Sequence, residues 1–105
     1  MDPRSSSAPD ATLVARMAQG DLDAARQLCQ RYGTPVYTLA YNVLVDPADA
    51  TEVVADTFER AWQTARHFDA AQGSVFGWLT EIARSLADDT LRARYEGSSH
   101  PPGNR

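Results

Sequence analysis

The stretch DPADATEVVADTFERAW, Asp46 to Trp62, decides the fold of this chain. Asp46 has the short acceptor side chain of a helix N-cap, Pro47 suits the first helical position, and Asp49 stands third, as in a capping-box-like start. Beyond them Val53, Val54, Phe58, Ala61 and Trp62 recur at helical spacing. Asp49, Glu52, Asp56 and Glu59 follow one another at steps of three, four and three, which gathers them on the other side. The pattern predicts a helix to about His67, a rod of about 30 Å at the helical rise. Like charges at these spacings repel by about 0.2–0.5 kcal/mol per pair. Such a stripe is either a solvated face whose acids suit the positive helix N-terminus, or a surface held for a basic partner.

Outward from this helix the chain keeps the same period. Asp10 could cap a short helix through ATLVARMAQ, which Gly20 would end. Asp21 looks like the cap of a second helix. Its apolar positions are Leu22, Ala25, Leu28, Cys29, Tyr32, Val36, Leu39, Ala40, Val43 and Leu44, and Gly33 and Pro35 should kink or briefly break it. After the loop FDAAQGS, Ser74 can cap a fourth helix with Val75, Trp78, Leu79, Ile82, Leu86 and Leu91 inward. Residues 1–9 read as a flexible lead-in, 10–96 as a helical domain, and 97–105, GSSHPPGNR, as a linker-like tail. No strand-like alternation and no repeat occurs. The expected fold is all-α, a compact bundle of about four helices.

Composition narrows the function. A chain of 105 residues supports one modest core, burying roughly two thirds of its extended-chain surface. The net charge is −4, with ten Arg and no Lys, so bulk attraction to nucleic acid or anionic membrane is weak and any DNA contact must be local or partner-dependent. Cys29 is alone, which excludes an internal disulfide and a Cys-based metal cluster; among apolar neighbours it reads as a small core side chain. No apolar run approaches a membrane span and no signal-peptide segment is present, so a soluble, cytoplasmic protein is expected, without membrane insertion. Of two His, His100 lies in the tail; no helix carries a His pair at metal spacing and no Gly-rich loop could cradle phosphate. The sequence therefore reads as a binding domain rather than an enzyme, with no metal and no cofactor.

The order DPADATEVVADTFERAW, then FDAAQGS, then WLTEIAR resembles the second conserved region of the extracytoplasmic-function sigma factors, which guide bacterial RNA polymerase to promoters. The resemblance covers roughly residues 12–94. It implies that the third helix docks on the Arg-rich clamp coiled coil of the largest subunit of core RNA polymerase, through Asp49, Glu52, Val53, Asp56, Glu59, Arg60 and Gln63. It implies that the loop captures a base flipped from the non-template strand of the promoter −10 element, through Arg66, His67, Phe68, Asp69, Gln72, Gly73 and Ser74. On the fourth helix it points to Arg84, Ser85, Arg92 and Arg94 as DNA contacts. Single-strand recognition needs stacking surfaces beside a cationic track, although Phe68, Trp62 and Trp78 read first as core. An anti-sigma factor is a further expected partner, overlapping the docking face.

The chain also departs from the family. Gln72 stands where Arg or Lys is frequent and Ser85 where Asn is frequent, and Asp88 and Asp89 dilute a usually basic helix. Arg84, Asp88 and Arg92 share a row that could close on itself through intrahelical ion pairs. The family's −35-reading helix-turn-helix has no counterpart in these residues; an excised domain and a short natural protein both remain open, the linker-like ending favouring the first. Two rivals follow: a module binding polymerase or an anti-sigma factor without touching DNA, and a stand-alone helical repressor, weakened by its acidic balance and lack of a recognition helix.

Overall fold

The computed structural model describes residues 8–99, with side chains through Glu96; most of the expected lead-in and the tail beyond Ser99 lie outside the described residues. Helices α1 (Asp10–Ala18), α2 (Leu22–Leu44), α3 (Pro47–Thr64) and α4 (Val75–Ser99) are joined by short turns, and no strand occurs among the described residues. Local chemistry sets three helix starts as expected. Asp21 accepts from the amides of Asp23 and Ala24, and Asp46 accepts from those of Ala48 and Asp49. Ser74 accepts from Gly77 at 2.9 Å. Each cap satisfies amides that have no partner inside their own helix.

Three local readings need correction. Asp10 does not cap α1; Pro9 holds that position without a side-chain bond. Asp10 accepts instead from Arg31 at 2.6 Å and from the Tyr32 hydroxyl, partners in the middle of α2. Asp49 does not complete a capping box, because its carboxylate is drawn to Arg94 of α4 at 2.6 Å. Gly33 and Pro35 do not break α2. A helix-interior proline costs about 3 kcal/mol. Leu28 and Val36 flank this one and are fully buried, and Ala40 and Leu44 continue the same face, while Pro35 itself is exposed. Their burial, at about 1.5–3 kcal/mol for each large aliphatic side chain, outweighs it.

Helices α2, α3 and α4 pack on one another, and α1 lies across α2 and against the turn after α3. The largest fully buried side chains are Leu13, Leu28, Leu44 and Leu79. Alanines at 24, 40, 50, 61, 83 and 87 fill the contacts between them, letting the helices approach closely. Leu22, expected inward, is 65% exposed, because Ala24 and Leu28 take the inner face of that turn. Arg94 donates to Asp49 and, at 3.0 Å, to the Leu44 carbonyl, so one guanidinium ties the end of α2 and the start of α3 to α4. At the other end Phe76 packs on Tyr32 with ring centroids 5.3 Å apart, fixing the first turn of α4 on α2.

Candidate functional site

Two surfaces carry the residues singled out by sequence. The first is the outer face of α3. Glu52, Asp56 and Glu59 are exposed and form no ion pair among the described residues; Glu59 meets Gln63 at a marginal 3.5 Å. Arg60 and Gln63 are exposed beside them. Asp49 is half-buried and neutralised by Arg94, so the expected stripe of four free carboxylates is three plus a paired one. Val53 is 2% exposed and turned to the core, away from the exposed acidic residues it was expected to join. It shares the inner face with Ala50, Thr57 and Ala61. Thr57 is fully buried with no partner for its hydroxyl among the described residues, a feature the sequence did not signal.

The second surface is a cavity of about 290 Å³ between the segment that follows α3 and the first turns of α4. After Thr64 the chain makes a tight turn over Ala65–His67, a second over Ala70–Gln72, and enters α4 at Ser74. Asp69 fixes the second turn by accepting from Ala71 at 2.9 Å. Gly73 follows with φ of 148°, a conformation that glycine adopts without penalty and L side chains rarely take. Phe68 and Trp78 meet with ring centroids 4.9 Å apart and planes tilted by 46°, forming an aromatic wall. His67, Asp69, Gln72, Gly73, Ser74, Gly77 and Glu81 complete the lining. The structure thus brings His67, Phe68, Asp69, Gln72, Gly73 and Ser74 to one concave site. Arg66 is exposed on the opposite side of Phe68, in a groove shared with α1.

Gly77, Trp78 and Glu81 belong to this site and were not assigned to it from sequence. Trp78 reads as core because it falls on the inward face of α4, and it is half-buried there. Its ring nevertheless closes one side of the cavity, because Phe68 packs against it from a different element. Trp62, by contrast, packs against the core as expected.

Farther along α4 the expected contacts separate. Arg84 and Ser85 are exposed, and Arg84 has no ion-pair partner among the described residues. The expected row of Arg84, Asp88 and Arg92 does not close, because Arg92 pairs with Asp89 at 3.0 Å, three residues away. Arg94 has donors committed to Asp49 and the Leu44 carbonyl. Three groups outside both surfaces have shifted ionisation. A hydrogen bond from Arg16 holds the Asp21 carboxyl below its ordinary value. The bond to Asp10 raises the Tyr32 phenol, and burial raises the Cys29 thiol. No group of His, Cys, Asp and Glu among the described residues is placed to hold a metal ion, and no described helix is long and apolar enough to cross a membrane.

Residues 28–96 match the family described as Sigma-70 region 2. The chain belongs to that family. The region 2 domain is similar to the ECF RNA polymerase sigma factor SigK of Mycobacterium bovis (strain BCG / Pasteur 1173P2), with 33% identity over 96 residues, covering 91% of this chain and 51% of that protein. SigK of Mycobacterium sp. (strain KMS) is 31% identical over 86 residues, covering 82% and 45%. The chain therefore spans about half the length of the curated relatives it matches. Among solved structures it resembles an engineered region 2 of sigmaE in complex with GTAAAA. The TM-score is 0.78 at 28% identity, over 91% of this chain and 96% of that one.

Proposed function

We propose that this region 2 domain acts in transcription initiation, joining core RNA polymerase to the promoter −10 element. Glu52, Asp56 and Glu59, with Arg60 and Gln63 beside them, form the docking face for the Arg-rich clamp coiled coil of the largest polymerase subunit. The cavity walled by Phe68 and Trp78 receives an unstacked base of the non-template strand. That cavity is the observation that carries the reading: it has an aromatic wall, it is lined by the loop to which the family resemblance assigns base capture, and the fold is that of a relative whose structure includes the strand GTAAAA. Stacking on an aromatic side chain contributes about 1–3 kcal/mol per base in single-strand binding. Arg66 and Arg84, both exposed, are available to the phosphates. With a net charge of −4 the domain attracts DNA weakly alone, so the polymerase supplies much of the cationic track. An anti-sigma factor would cover the same acidic face. The domain acts by binding, in the cytoplasm, without a catalytic step.

The test is anisotropy of a labelled non-template −10 strand with core polymerase, alone and with the domain added. Tighter binding with the wild-type domain, lost with Trp78→Ala, supports the reading; a domain that binds polymerase but adds nothing to strand binding contradicts the DNA half. The pairing of Arg92 with Asp89 and of Arg94 with Asp49 favours that second reading, a polymerase- or anti-sigma-binding module without DNA contact.

A further inference from the structure

The cavity's lining is unequal in what remains free to read a base. Asp69 already accepts from the Ala71 amide and Ser74 from the Gly77 amide. Gln72 carries both a donor and an acceptor and can present either. Glu81 differs. It lies three residues beyond Trp78 on the same side of α4, lines the cavity, is exposed, and makes no hydrogen bond or ion pair among the described residues. Its backbone is helical, so its position is more closely fixed than that of the loop residues.

We propose that Glu81 selects the captured base, admitting one with an exocyclic amino group on its pairing edge, namely cytosine, adenine or guanine, and disfavouring thymine. The proposal rests on the reading that the cavity takes an unstacked base. An ionised carboxylate only accepts hydrogen bonds, so it requires a donor from the base. Cytosine offers its N4 amine, adenine its N6 amine, and guanine an N1–H and N2 amine side by side, which a carboxylate can take as a pair. Thymine offers one ring N–H between two carbonyl oxygens, and both oxygens are repelled by the carboxylate. The same negative charge also repels the phosphates of any strand. Selectivity is the gain that offsets a weaker overall attraction.

The experiment uses the full chain bound to core polymerase, against polymerase alone, with labelled single-stranded hexanucleotides in which each position in turn is adenine, cytosine, guanine, thymine or abasic. The position where abasic replacement weakens binding most is the one held in the cavity. There the wild type is expected to bind the thymine strand roughly tenfold more weakly than the best amino-bearing strand. Glu81→Gln, which accepts and donates, should flatten the ranking and raise the thymine strand most; Glu81→Ala should also flatten it. A purely structural role for Glu81 would change all strands by one factor. Thymine bound as well as the others by wild type, or a ranking unmoved by both substitutions, overturns the selection while leaving base capture standing. Abasic strands that bind as well as intact ones at every position, or no strand binding beyond that of polymerase alone, overturn base capture and the selection with it.

Discussion

On α3 the carboxylates of Glu52, Asp56 and Glu59 stand on the exposed face of one helix and form no ion pair among the described residues, Glu59 alone accepting a marginal bond from Gln63. Beside α4 the cavity is concave and is assembled from two turns and a helix, with Asp69 and Ser74 already engaged in holding the backbone. In the proposed function the first surface would work through charge acting over roughly a Debye length, about 10 Å at moderate salt, and would tolerate small shifts of any one side chain. The second would work through stacking and hydrogen bonds, which fail when a wall moves by an ångström. The two proposed interfaces thus differ in character, and they should break under different perturbations.

The largest separation is expected from reversing Glu52, Asp56 and Glu59 together to Arg. Facing like charge with like costs several kcal/mol, so affinity for core polymerase should fall about a hundredfold or more. Circular dichroism should remain helical, since none of the three carboxylates packs inward. Unchanged affinity would remove the docking role of this face. Trp78→Ala should do the converse, weakening single-strand binding about five- to 150-fold while leaving polymerase affinity intact. Equal losses in both assays would mean that the two surfaces are not independent. Ser74→Ala removes the α4 cap and should lower stability by about 1 kcal/mol in urea unfolding. Strand binding should drop with it, because the cavity wall starts at that residue.

The smallest effect lies away from both surfaces. The Asp21 carboxyl is held low by Arg16, so the pair stabilises the fold above the ordinary carboxylate range and ceases to do so as pH falls through the folded-state value. Asp21→Asn keeps a capping side chain and loses the charge. Its melting temperature should lie below wild type at neutral pH and converge with it in acid; a gap that persists in acid would show that the charge is not the cause.

The contrast between the surfaces also explains what could be read from sequence. The Asp21, Asp46 and Ser74 caps act on amides two or three residues away, and the α3 stripe is a matter of spacing within one helix, so both were legible. Asp10 and Asp49 were misread because stronger partners, Arg31 and Arg94, arrive from 21 and 45 residues along the chain. The loop side of the cavity was legible through the family resemblance, but Trp78 and Glu81 were not, because only the packing of Phe68 on Trp78 turns that face of α4 into a wall. The continuity of α2 through Pro35 likewise depends on burial supplied by α3 and α4.

The measurement that tests the account most directly is a two-dimensional amide spectrum of the labelled chain titrated with the single strand GTAAAA. Shifts are expected at His67, Phe68, Gln72, Gly73, Gly77 and Glu81 and at the Trp78 indole, with Glu52, Asp56 and Glu59 unmoved. Shifts centred on the α3 face, or a strand that binds without disturbing the Trp78 indole, would contradict it.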